Sequence, residues 1–213
     1  MNSSLTVGTL SRTDVERLAE AAHEVFSAAM RARGFRYGPE TSDLERTHRA
    51  LRPFAELTDD EREQNRHLAR AIPEKLVAAG FTLVHADNGD DGSAFPGALL
   101  EQLAEDEHAR WVRARIADGW HYGPVTDKVR KLHASMIRWR LNGAPSPGGT
   151  FLPDELAAMG PGELSEAERE KDRVMIRGIP AMLAHAGLAV RALSTAGERR
   201  PAERAGHEPR RTP

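Results

Sequence analysis

The hexapeptide Gly34-Phe-Arg-Tyr-Gly-Pro39 returns later in the chain as Gly119-Trp-His-Tyr-Gly-Pro124. In both places a glycine can take the left-handed conformation that ends a helix, an aromatic follows, and Tyr-Gly-Pro sets a tight turn with φ fixed at the proline. Working outward, residues 18–54 align without gaps onto 103–139 at an offset of 85, with 12 of 37 pairs identical. Residues 57–81 align onto 164–188 at an offset of 107, with 11 of 25 pairs identical. The difference between the offsets, 22 residues, places one insertion in the second copy at about 140–161. Matches this dense and this ordered read as a tandem duplication.

Each copy opens with an amphipathic helix. Val15, Leu18, Ala22, Val25, Phe26, Ala29 and Met30 recur at three- and four-residue spacing, Ser11 or Thr13 can cap the start, and Gly34 can stop it. The second copy repeats this from about Pro96 to Gly119. Each copy closes with another helix, opened by Thr58-Asp-Asp-Glu61 and Ser165-Glu-Ala-Glu168, both with capping-box spacing. Pro73 and Pro180 lie inside these closing helices and predict a kink or restart in each, and Gly80 and Gly187 end them. Between the helices of each copy runs a loop of about 25 residues, long enough in a compact domain to suggest a functional role.

The chain has 213 residues, 39% hydrophobic and 29% charged, which suffices for a buried core. A net charge of −2 removes the electrostatic case for a general nucleic-acid binder. The absence of cysteine removes disulfides, thiolate metal sites and cysteine nucleophiles. The nine histidines show no helical metal-ligand spacing, so no metal is expected. No phosphate-binding Gly-Lys-Ser/Thr loop and no nucleophile elbow occur, so the chain is expected not to be an enzyme. Neither a basic leader nor a long apolar run is present, which predicts a cytoplasmic protein without a membrane partner. The expected organisation is a first repeat over 11–84, an acidic linker over 85–98, a second repeat over 99–190, and a disordered Arg-rich tail over 191–213.

The repeated motif, with Leu51-Arg-Pro-Phe-Ala-Glu-Leu57 and the closing helix, resembles the ryanodine-receptor repeat, the RyR domain. The resemblance covers about residues 15–84 and 99–190. Phe35 stands where the family usually carries Trp, and Arg49 and Ala134 stand where it usually carries Pro. It implies a mainly α fold: two helix–long loop–helix repeats with short extended segments, related by an approximate two-fold axis. It further implies a cleft between the copies for an adenine nucleotide, such as ATP, ADP, ADP-ribose or a cyclic nucleotide, with the aromatics before the turn stacking on it. Stand-alone bacterial and phage members imply a ligand sensor, in loose association with anti-phage nucleotide signalling. The alternative is a protein–protein interaction module that docks a partner chain through the same loops.

On this reading the candidate ligand-binding residues are Phe35, Tyr37, Arg46 and His48 in the first copy and Trp120, Tyr122, Lys131 and His133 in the second. Each has a structural alternative. Phe35 and Trp120 can stack on a base or pack beneath their own turns. Tyr37 and Tyr122 can reach a ligand or anchor their turns, and His48 and His133 can bind phosphate when protonated or close the loop. His23 and His108 read as satisfied core residues. The recurrent Arg66, Arg70, Arg173 and Arg177 can hold phosphate or pair with the repeated acids Glu61, Glu63, Glu168 and Glu170.

Overall fold

The computed structural model describes residues 9–42, 44–86 and 95–193. Expectations for most of the linker and for the tail beyond Leu193 lie outside the described residues. Five helices dominate: α1 (Arg12–Ala32), α2 (Asp59–Ala78), α3 (Gly97–Ala117), the short α4 (Pro153–Ala157) and α5 (Glu166–His185). Three pairs of strands accompany them: β1 (Arg36–Tyr37) with β2 (Thr47–His48), β4 (His121–Tyr122) with β5 (Leu132–His133), and β3 (Phe81–His85) with β6 (Leu188–Ala192).

The element order follows the internal repeat. Ser11 caps α1 in a reciprocal capping box with Asp14, and Thr58 caps α2 in the same way with Glu61. Ser165 accepts from the Glu168 amide at the start of α5, but the return half of that expected box is absent. The Glu168 carboxylate instead accepts from the Ser135 hydroxyl and the Lys171 ammonium. The restart expected as one outcome at Pro73 and Pro180 does not occur, and each helix runs on as one element. Buried residues on both sides of each proline, Ala69, Ile72 and Leu76 in α2 and Ile176, Ile179 and Met182 in α5, seat the two turns on one core. Packing offsets the lost hydrogen bond.

That core is shared by both repeats. Leu18, Ala19 and Ala22 of α1 and Leu103 and Ala104 of α3 are each 0% exposed and join one cluster with the apolar faces of α2 and α5. Matched hydrogen bonds then tie each loop to its opening helix. His23 Nε2 lies 2.7 Å from the Arg52 carbonyl, and its counterpart His108 Nε2 lies 2.8 Å from the Ile137 carbonyl. Both histidines are satisfied residues of the interior, as expected.

The repeats end in strands, so the segments after Gly80 and Gly187 belong to the fold, and Arg191 and Ala192 lie in β6 instead of a tail. β3 and β6 pair antiparallel, with Leu83 opposite Val190, Phe81 opposite Ala192 and His85 opposite Leu188. Leu83 and Val190 are equivalent positions at the offset of 107, so the ladder pairs each repeat's strand with its counterpart about a common centre.

The insertion lies across α3. Asp106 accepts from the Ser146 hydroxyl at 2.5 Å and the Gly148 amide at 2.8 Å, and Arg113 donates to the Gly148 and Thr150 carbonyls. Arg113 also meets Glu155 of α4 at 2.9 Å.

Candidate functional site

Each repeated loop folds on the same devices. After the left-handed glycine, the backbone runs extended for two residues and pairs in parallel with a later two-residue strand: Tyr37 opposite His48, Tyr122 opposite His133. The glycine of Tyr-Gly-Pro permits this approach. A Cβ on Gly38 would lie 2.7 Å from Thr47 Cβ, and one on Gly123 would lie 2.8 Å from Leu132 Cβ. The last residue before the second strand takes a positive φ without being glycine: 50° at Arg46, 53° at Lys131. Each sends its cationic head back to the end of the opening helix. Arg46 Nη1 donates to the Arg33 carbonyl at 2.5 Å, and Lys131 Nζ donates to the Asp118 carbonyl at 2.6 Å. A cation at a helix C-terminus complements the macrodipole. Both residues, expected at the rim of a ligand cleft, close their own loops.

The histidines are oriented alike. His48 Nδ1 accepts from the Ala50 amide and His133 Nδ1 from the Ser135 amide, each at 3.1 Å. Their rings meet the aromatic of the opening helix edge-on, His48 with Phe26 at 5.2 Å and His133 with Trp111 at 4.8 Å between centroids. Burial, then the nearby Arg115 charge, push the His133 pKa down to about 4. His133 is therefore neutral at pH 7, and a protonated phosphate-binding role is closed to it.

The two aromatics before the turn are placed unequally. Phe35 is 9% exposed and packs with Met30, Leu51 and Phe26. Its ring is part of the first repeat's interior. Trp120 is half-buried, edge-on to His133 at 6.2 Å, with the Arg115 guanidinium 5.0 Å from its centroid. The difference originates in one pair of equivalent positions, Met30 and Arg115. The tyrosines also diverge. Tyr37 is 54% exposed, whereas the insertion covers Tyr122, whose amide donates to the Ala158 carbonyl and whose ring abuts Gly160. Neither hydroxyl makes a hydrogen bond among the described residues, so neither anchors its turn in that way.

Arg115, unremarked in the sequence, organises a cationic patch that crosses between repeats. It lies over Trp111 as well as Trp120, and its Nη2 donates to Gln64 of α2 at 2.6 Å. Lys128 has its pKa lowered by partial burial and then by the charges of Arg49 and Arg115, with Glu61 opposing. Arg49 belongs to the first repeat and reaches Glu61 at 2.7 Å. Arg115 thus lies over Trp120, and the charges of Arg49 and Arg115 both disfavour the charged form of Lys128, with Glu61 as the acid that opposes them. In the sequence Arg115 stands opposite Met30, one of 25 non-identical pairs among the 37 aligned, so nothing there singled it out.

Each of the recurrent arginines meets an acid. Arg66 Nε lies 2.7 Å from Glu16, and the equivalent Arg173 engages Glu101 in the same bidentate manner. Arg70 pairs with Glu63, and Arg177 with Glu170. Among the described residues no helix is long and apolar enough to cross a membrane. Against protein-family models, residues 3–85 match the RyR domain.

Proposed function

With its first repeat a RyR domain, we propose that this chain is a non-enzymatic binding module that senses an adenine-type nucleotide at the Trp120 face. The observation that carries the reading is the Arg115 guanidinium lying 5.0 Å from the centroid of the half-buried Trp120 ring. The charges of Arg49 and Arg115 disfavour the Lys128 ammonium, and an anion placed near them relieves that cost. The ring offers a stacking surface to a planar base, and the cations offer charge-assisted hydrogen bonds to phosphate. Neutral His133 behind Trp120 contributes packing, and its Nε2 carries a donor proton.

Titration calorimetry of the full chain with ATP, ADP, ADP-ribose and cyclic nucleotides tests the proposal. Trp120→Ala weakens binding by about 1–3 kcal/mol, roughly 5- to 150-fold. Phe35→Ala lowers the melting temperature of the free protein and leaves the affinity of the folded fraction nearly unchanged. No binding by the wild-type protein at millimolar nucleotide would overturn the reading.

A second reading, a surface that docks a partner protein, is favoured by Leu44 and Val129. These equivalent loop-tip residues are each 95% exposed, and Val125 nearby is 73% exposed. Large apolar side chains presented twice at the same loop position fit a contact surface.

A further inference from the structure

The seam between α2 and α3 has a counterpart in the seam between α5 and α1. At the latter, a Cβ on Gly178 would lie 2.6 Å from Val25, so the helices touch. The positions equivalent to Gly178 and Val25 are Ala71 and Arg110, and those equivalent to Ala22 and Met182 are Glu107 and Lys75. One seam is apolar and closed. The other has exchanged three apolar residues for charged ones, and it stands open as a groove of about 390 Å³ lined by His67, Arg70, Ala71, Arg110 and Ala114.

The groove is bounded by polar contacts. Lys75 and Glu107 meet at 2.6 Å at one end, with side chains 10% and 4% exposed, and Arg115 bridges to Gln64 at the other. Arg110 spends Nε and Nη2 on Glu107, so its Nη1 is uncommitted among the described residues. Arg70 gives Nη1 to Glu63, which leaves its Nε and Nη2. His67 faces the same Glu63 at 3.3 Å. The charges around the groove are therefore Lys75, Arg70, Arg110 and Arg115 against Glu63 and Glu107, and Ala71 and Ala114 keep the space between them clear.

We propose that this groove is an oxyanion site of the phosphate class, in which the uncommitted guanidinium nitrogens of Arg70 and Arg110 hold the anion. Guanidinium groups suit this use because their donors are planar and match phosphate oxygens in pairs. The site does not require the nucleotide reading. Arg110 lies about 8 Å along α3 from Arg115, so the phosphates of a nucleotide stacked on Trp120 can reach it, and a free phosphate compound can also occupy it alone.

The test uses the full chain, with pyrophosphate, adenosine and ADP as probes in thermal-shift and calorimetric titrations at matched ionic strength. Pyrophosphate raises the melting temperature of the wild-type protein. Arg70→Gln and the groove-filling Ala71→Leu weaken pyrophosphate binding about tenfold or more while leaving any adenosine binding unchanged. Glu63→Gln, which frees Arg70 from its acid, strengthens it. ADP binding tighter than both probes identifies a nucleotide as the source of the anion, and ADP no tighter than pyrophosphate identifies a free phosphate compound. A pyrophosphate response that persists undiminished in both weakening variants, or that KCl reproduces at equal ionic strength, overturns the proposal. Adenosine binding without pyrophosphate binding would overturn it while sparing the Trp120 reading. Pyrophosphate binding without adenosine binding does the reverse.

Discussion

Glu107→Gln should be among the most destabilising single substitutions in this chain. Glu107 is 3% exposed, and its carboxylate lies 2.6 Å from both Lys75 and Arg110. Burial alone would raise its pKa, but the Arg110 and Lys75 charges outweigh burial and hold it at about 2. The drop from 4.5 to about 2 corresponds to roughly 3 kcal/mol of native-state preference for the charged form. Because the folded pKa is depressed, this stabilisation is fully present above pH 4.5 and is lost as pH falls through about 2. Replacing Glu107 with Gln at pH 7 strands two largely buried cations, which costs about 3–5 kcal/mol. For a chain of this size that lowers the melting temperature by roughly 6–20 °C. Thermal and urea unfolding followed by circular dichroism read this directly. The second arm is rescue. The triple substitution Glu107→Ala, Arg110→Val and Lys75→Met installs the residues found at the equivalent positions Ala22, Val25 and Met182, and should recover most of the loss, since apolar packing often replaces buried ion pairs without cost. A Glu107→Gln protein within about 0.5 kcal/mol of wild type would refute the claim that the triad is buried and coupled.

Two further outcomes follow from the loop and the insertion. His133 has a folded pKa near 4 against about 6.5 when unfolded, so the unfolded chain takes the proton first and stability falls as pH drops from 6.5 towards 4. The melting temperature of wild type should therefore fall more between pH 7 and pH 5 than that of His133→Asn, and equal falls would contradict the buried neutral ring. Asp106→Ala removes the acceptor for Ser146 and Gly148 and should cost about 1–3 kcal/mol, with protease cleavage accelerated within residues 140–161. Cleavage at an unchanged rate would show that Arg113 and Arg140 suffice to hold the insertion.

The fold was legible where the two copies agree. Leu18 and Leu103, His23 and His108, Gly34 and Gly119 each carry the same spacing and take the same place. The strands β3 and β6 were not legible, because five residues after a stop glycine give little periodicity and their pairing lies more than a hundred residues apart in the chain. The continuity of α2 and α5 through proline was hidden for a related reason. Local chemistry argues for a break, and only the buried contacts of Ile72 and Ile179 argue against it. At the site, attention to identical residues selected groups that close the loops, such as Arg46 and Lys131. The groups that distinguish one repeat from the other, Arg115 and Arg110, sit at mismatched positions, where a search for recurrence does not look.

The β3–β6 ladder bears on how such a difference can arise. Its register pairs counterpart with counterpart, the arrangement two identical chains would adopt across an interface of their own. In an assembly of identical single repeats, any substitution is made at both equivalent seams at once, so opening one necessarily opens the other. Joining the copies in a single polypeptide removes that obligation. Here one seam keeps Val25 against Gly178 as an apolar contact, and the other, with Arg110 and Ala71, joins the halves through the Lys75–Glu107 ion pair and the Arg115–Gln64 hydrogen bond. Covalent linkage thus lets equivalent seams of one repeated pattern differ, one closed by apolar packing and the other held by charge.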